Sequence, residues 1–302
     1  MNTLIERKAR VTVKVTRSDA NEQGDTLQST YEFIQHRMSI TVSQGGGQFG
    51  NAKVQIFGAA LDAMNNIARL WLEVLSPSNN DTLDIDVWDG ANFVPFFQGV
   101  ITWSAINASG APNVALEIEA NDSMVAMNTV AQPYAQDTPI ALQDALTAIL
   151  EPAGLVVEFA ESVPDLQIQK AHLLGSPMEQ ANALMNYFPE LTHYTNLRRF
   201  IVRPVNGPLG GDPLPVNKGT GMIGYPTYSS SGITLATLFD ARLRLGLALD
   251  IQTTGFDFIN RTKWVCAVLQ HNIQPNTPGG QWVTQIAAQA YGTKGDDAGS
   301  LT

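Results

Sequence analysis

Apolar and polar residues alternate along the first third of the chain. Val11, Val13 and Val15 fall on one side of an extended segment, with Thr12, Lys14 and Thr16 on the other. The pattern returns at Met38, Ile40 and Val42, at Val54 and Ile56, at Leu70, Leu72 and Val74, at Leu83, Ile85 and Val87, and at Val114, Leu116 and Ile118. A period of two with one wet side predicts antiparallel strands joined by polar turns, arranged as a sheet or barrel. Gly45-Gly46-Gly47 and Asp89-Gly90 supply turn signals. One helix is expected within this run, over residues 61–69, where Leu61, Met64, Ile67 and Ala68 share a side.

The period changes in the middle third. Asp137 or Thr138 is placed to cap a helix that has Pro139 at its first position and a stripe of Ile140, Leu142, Leu146, Ile149 and Leu150. Pro152 and Gly154 end it, and a strand over 155–159 follows. Ser176, Pro177 and Glu179 form a capping box that opens a second helix, stopped by Pro189, and a strand is expected over 197–205. The stretch 205–215 is rich in Pro and Gly and reads as a linker, after which strands resume, the last two over 262–269 and 281–290. The expected fold is mainly β with an α/β insert. An N-terminal antiparallel β-barrel domain spans 1–132 and a helix-containing α/β domain spans 133–208. A second β-barrel domain spans 209–302 and ends in a small, polar, mobile tail.

Composition narrows the function. Across 302 residues, 44% are hydrophobic and only 15% charged, a balance suited to a subunit whose surface is covered by partners. The net charge of −10 argues against a nucleic-acid-binding protein, which needs a basic footprint for phosphates. Basic residues nevertheless crowd the first strand, at Arg7, Lys8, Arg10, Lys14 and Arg17. They read either as a solvated strand face or as an edge that docks against an acidic neighbour. Cys266 is the single cysteine, so an intramolecular disulfide is excluded. The first residues lack the apolar core of a signal peptide, and no run is long enough to span a membrane. A protein made and folded in a cytoplasm, without membrane insertion, is expected.

Motifs for catalysis or metal binding are weak. Asp84, Asp86 and Asp89-Gly90 superficially match the start of a calcium loop, but Leu83, Ile85 and Val87 make the segment a strand with the aspartates on its wet side. The glycines of 45–50 lack the Gly-Lys-Ser/Thr ending of a phosphate loop and lead into a strand, as a loop that orders against another subunit would. His36, His172, His193 and His271 show no metal-ligand spacing. Cys266 and His271 could meet only through the fold, and Glu158 with Glu161 flank a strand end. No catalytic residue, cofactor or metal is expected.

One segment is more specific. A glycine-rich turn, Gly221, Gly224 and Pro226, leads into Ile233, Leu235, Leu238, Phe239, Leu243 and Gly246, and two long strands follow. This order resembles the C-terminal barrel of baseplate hub proteins from contractile-tailed bacteriophages. The N-terminal barrel matches more loosely, in strand order and in the strand from Val54 to Gly58 that leads to a helix. The resemblance implies a homotrimer in which each subunit gives two similar barrels, so that six surround one axis. Such a ring joins a sixfold tail tube to a trimeric spike or tail tip, contacts other baseplate proteins, and lines the channel through which DNA passes unbound. The expected location is the virion, at the tail baseplate, after assembly in the host bacterial cytoplasm. Arg10, Lys14, Gly45, Gly46, Gly47 and Phe49 are the expected subunit or tube contacts. Two other classes stay open. A tail-associated peptidoglycan hydrolase would need a catalytic acid or nucleophile, and a carbohydrate-binding module would use Trp71, Trp88 and Trp103 as stacking faces.

Overall fold

The computed structural model describes residues 6–18, 26–45, 48–68 and 81–294. The strand expected at Leu70, Leu72 and Val74, the helix end at Arg69, Trp71, Gly46, Gly47 and the tail beyond Lys294 lie outside these residues.

The alternating segments become strands β1 (Ala9–Ser18), β2 (Thr26–Phe33), β3 (Arg37–Gly45), β4 (Gln48–Phe57), β5 (Thr82–Trp88), β6 (Phe93–Asn107) and β7 (Ala115–Asn121), with helix α1 (Leu61–Ile67) between β4 and β5 and a short α2 (Met124–Asn128) after β7. Val11, Val13 and Val15 are buried, and so are Leu83, Ile85 and Val87 on the adjacent β5. Each such side chain contributes about 1.5–3 kcal/mol by leaving water. A slip of one residue would expose the whole set, which fixes the register. β2 and β6 add to the strands expected from the alternation. β6 carries irregularities against both of its neighbours, opposite Ile85/Asp86 and between Ile101 and Trp103, and each changes which residues face the core.

The middle third holds β8 (Tyr134–Gln136), β9 (Ile140–Ala141), α3 (Leu142–Leu150), β10 (Val156–Phe159), β11 (Gln167–Ile168), β12 (Ala171–Leu173), α4 (Pro177–Met185), β13 (Leu191–Asn196) and β14 (Arg199–Pro204). β10, β14 and β13 form a three-stranded sheet, and both helices bury their apolar sides in one cluster with it. Helix α4 opens as expected. Ser176 N donates to Glu179 Oε2 at 2.8 Å and Glu179 N to Ser176 Oγ at 3.3 Å. It ends at Met185, short of Pro189. Helix α3 begins later than its proline predicts and has no side-chain cap. Ile140 and Ala141 pair with β11, Leu142 N donates to Leu166 O at 2.8 Å, and Asp137 faces Lys170 instead. The strand expected over 197–205 starts at Arg199, because Leu197 and Arg198 turn a hairpin in the left-handed region, at φ 47° and 59°.

The last third contains β15 (Leu214–Val216), β16 (Met222–Ser229), β17 (Gly232–Leu238), β18 (Ala248–Ile251), α5 (Asp257–Arg261), β19 (Thr262–Ile273) and β20 (Trp282–Thr293). The expected linker before it is tied down. Arg203 Nη1 donates to the carbonyls of Pro204, Val205 and Gly207 at 3.1, 3.2 and 3.0 Å, and Leu209 N donates to Gly246 O at 2.8 Å. Tyr194 Oη of the insert donates to Leu245 O at 2.6 Å.

Strands of the first and last thirds belong to one 13-stranded sheet, ordered β16-β17-β20-β19-β3-β4-β7-β6-β5-β1-β2, with β18 and β15 branching from β19. The mainly β class with an α/β insert is what the alternation and its interruption predict. Among the described residues, however, the pairings close neither strand set into a separate ring. The two sets continue into each other where β19 pairs antiparallel with β3, from Val268 opposite Gly45 to Ile273 opposite Ile40. Buried apolar residues form three clusters, under the first strands, within the insert and under the last strands.

Candidate functional site

The register that buries one side of these strands lines up the other side in rows. Cross-strand partners share a face. One row runs Ala236, Gln285, Gln270, Ser43, Asn51 and Asn121, and the next Leu238, Val283, Asn272, Thr41, Lys53, Glu119 and Trp103. A shorter one holds Ser39, Gln55, Glu117 and Ala105. The outward face is therefore a single surface crossing from β17 to β6, dominated by amides and hydroxyls.

Side chains in these rows bond to one another. Thr41 Oγ1 donates to Asn272 Oδ1 at 3.1 Å, Gln270 Nε2 to the same oxygen at 3.2 Å, and Asn121 Nδ2 to Asn51 Oδ1 at 3.1 Å. Glu117 Oε1 accepts from Gln55 Nε2 at 3.0 Å and Asn107 Nδ2 at 2.8 Å, while Lys53 Nζ meets Glu119 Oε1 at 2.7 Å. Arg37, at the rim, lies over the Phe57 ring at 4.3 Å. Lys53 is paired and Arg37 stands at the rim, so among the described residues these rows present mainly neutral hydrogen-bonding groups.

The expected contact residues fall in two separate places. Arg10 and Lys14 lie on β1, four strands from β4 in the sheet order. Asp86 stands opposite Arg10 and accepts its Nε and Nη2 at 2.9 and 2.7 Å, and Lys14 Nζ reaches Asp84 Oδ2 at 3.3 Å. The acidic neighbour of this basic strand is thus strand β5 of the same chain. Gly45 and Phe49 lie at the β3–β4 hairpin. Gly45, at φ 109°, abuts β19 so closely that a β-carbon would press on the Ala267 carbonyl and come within 2.8 Å of Val268 Cα. Phe49 is half-buried against the insert's apolar cluster and lines a groove of about 490 Å³ with Met178, Met185, Phe188 and Phe200. Gly46 and Gly47 are outside the described residues.

Groups that might carry chemistry are spent on structure. Burial pushes the Cys266 thiol up to about 12, so it stays protonated and is no nucleophile. His271 is engaged elsewhere. Its Nδ1 is 2.8 Å from Thr284 Oγ1 and its ring meets Phe96 and Phe239 edge-on, and burial lowers the imidazole to about 3. Glu158 pairs with Arg199 at 2.8 Å. Among the described residues no group of three His, Cys, Asp or Glu is placed to hold a metal ion, and no helix is long and apolar enough to cross a membrane. Trp88 packs edge-on against Phe93, whereas Trp103 belongs to the polar face, so the two make no common stacking platform.

Sequence reading missed one buried group. Asp122 follows β7 and is 6% exposed, where the first strands meet the insert. Its Oδ1 accepts from Gly50 N at 3.0 Å, Ser123 Oγ at 2.9 Å and Thr195 Oγ1 at 2.7 Å, and Ser123 Oγ also meets Thr195 Oγ1. A lone aspartate after a strand carries no signal for this, since Gly50 and Thr195 are remote in sequence.

Comparison with known proteins gives the family and the fold likeness of the chain. A family described as "Baseplate hub gp41" matches residues 87–277. No curated protein sequence matches significantly. Among solved structures, the 43 kDa tail protein of prophage MuSo2 from Shewanella oneidensis superposes with a TM-score of 0.58 at 8% identity, covering 92% of this chain and 96% of that one. A tail protein from Neisseria meningitidis MC58 gives 0.57 at 11% identity, covering 93% and 96%. An E. coli protein described as a type VI secretion component, structurally similar to the bacteriophage T4 tail proteins gp27 and gp5, gives 0.55 at 12%, covering 84% and 73%.

Proposed function

The chain belongs to the baseplate hub gp41 family of structural phage-tail proteins, and from that premise we propose that three copies form a ring that joins the tail tube to the spike or tail tip and lines the DNA channel. The observation that carries this reading is the polar face, which crosses both strand sets as one surface. Turned inward, it would give DNA a wall of amides and hydroxyls with its charges paired. Phosphates would slide past it, and a basic wall would act as a brake.

Strand order supports the ring. From β16 to β6 the sheet runs through eight strands, each antiparallel to the next. Among the described residues β16 pairs on one side only, and no strand pairs with β6 beyond Ile101 on its β5 side. An even number of alternating strands lets β16 of one copy lie antiparallel to β6 of the next. Such a head-to-tail contact makes a ring if its rotation closes, and closure protects both edges.

In this reading 1–132 and 209–302 are the channel-side units and 133–208 the peripheral one. The tube protein, the spike or tail tip and other baseplate proteins are the remaining partners, and the assembled protein resides in the virion without enzymatic activity of its own. Single-particle imaging of intact tails tests the proposal. Three copies around the tail axis, polar face inward, are expected. Six copies, or a position off the axis, would overturn it.

A further inference from the structure

The Asp122 cluster is used by nothing so far described, yet it fastens two parts of the molecule. One oxygen collects donors from β4 (Gly50), from Ser123 ahead of α2, and from β13 of the insert (Thr195). The other oxygen, Oδ2, is buried without a hydrogen-bond partner. Gly50 closes over that side, since a β-carbon there would come within 2.9 Å of Asp122 Cγ. Oδ2 is thus closed off from solvent in the fold.

We propose that Asp122 is a proton-controlled latch between the first strand set and the α/β insert, closed while its carboxyl keeps the proton and loosened when the proton leaves. Ionisation would leave a buried negative charge with half of its acceptor capacity unmet. Parting β13 from β4 admits water to Oδ2 and relieves this.

Desolvation is the main reason that the carboxyl rises from its ordinary value to about 7, against lowering by Thr195, Ser123 and Gly50. No charged side chain contributes to this shift. On the elements packed here, Lys53 and Glu119 form their pair on the outward face, and Glu117 is bound by Gln55 and Asn107 there. α2 has no titratable residue. On β13, Tyr194 turns to Leu245 O, and His193 stacks on Phe200, its imidazole lowered by burial. On β14, Arg199 pairs with Glu158 and Arg203 holds the carbonyls of 204–207; on α4, Glu179 is held in its capping box. The closed state therefore binds a proton that the open state gives up near the ordinary carboxylate value. Opening grows as pH rises from about 4 and levels off once pH passes about 7.

Hydrogen exchange of the full chain, read by mass spectrometry and corrected for intrinsic rates, tests the latch. Between pH 6 and pH 8 the peptides holding Gly50 and Thr195 should lose protection about tenfold, as linkage between these two values of the carboxyl requires. In Asp122→Asn the same peptides should show no such change, because the three donors keep their acceptor and no charge can form. Wild-type protection that is constant across this range, or an equal loss in the variant, would overturn the proposal. Should the variant fail to fold, the ¹³C carboxyl shift of Asp122 in the native chain decides: a midpoint near 7 supports the latch, and one near 4 removes it.

Discussion

Thr41 Oγ1 donates to Asn272 Oδ1 at 3.1 Å across 231 positions of sequence, and so bonds the first strand set to the last on their shared outer face. The joint that this bond spans is long-range in every pairing, and the sheet is complete only when both ends of the chain have folded.

Gly45 packs closely against β19 at that joint. Gly45→Ala should destabilise the chain by about 2–4 kcal/mol, from a left-handed backbone and a clash with β19 together. Gly58→Ala is the control, because Gly58 has φ 76° and open space around its would-be β-carbon. It should cost about 1 kcal/mol. Urea denaturation of both measures the difference, and equal effects would mean that β19 yields.

Arg10→Glu places a carboxylate directly opposite Asp86. Stability should fall by about 1 kcal/mol, and the double variant Arg10→Glu with Asp86→Arg should recover most of it. The swapped pair is also the proper test of tube contact, since it moves the cation from β1 to β5 while keeping the internal pairing and the net charge. A double-mutant cycle by thermal melting checks the first point. Binding of the swapped chain to purified tail tube checks the second.

His271 is neutral when folded, with its imidazole lowered to about 3, and takes up a proton at about 6.5 once unfolded. The unfolded chain binds more protons between these values. Stability should thus decline as pH falls from about 6.5 towards 3, by a few kcal/mol in order of magnitude. His271→Gln should flatten the curve in that window. Urea midpoints taken at half-unit pH steps would show it.

The polar outer face should be convertible to a DNA-binding one. Wild-type protein is expected to pass duplex DNA at low salt without retention. Replacing Asn51, Gln270 and Gln285 with Arg puts three free cations in one row, and retention should appear and fall steeply with salt. Electrophoretic mobility over a salt series measures this, and wild-type retention would contradict the proposed wall.

Much of the fold is legible in the residues, though unevenly. Val11, Val13 and Val15 announce a strand because burial enforces their period, and Ser176 with Glu179 announces a helix start because both bonds of the box are local. The β13–β14 hairpin is hidden, since Leu197 and Arg198 occupy turn positions that ordinarily call for Gly or Asn. Helix α3 starts late because Leu142 N is engaged by Leu166, a partner no local pattern names. The polar face was legible only as a surplus of Asn, Gln, Ser and Thr. Strand order turns that surplus into a surface, and strand order depends on pairings such as Ile273 with Ile40.

The β3–β19 ladder also sets how the protein bears load. Its six register pairs, from Gly45 with Val268 to Ile40 with Ile273, are the pairings through which the sheet passes from one strand set to the other. Force along the strands loads all six together in shear, whereas force across them would peel the pairs open one at a time. A pull that runs with the strands therefore meets a stiff plate, and a sideways pull meets a zipper whose first tooth is the tightly packed Gly45.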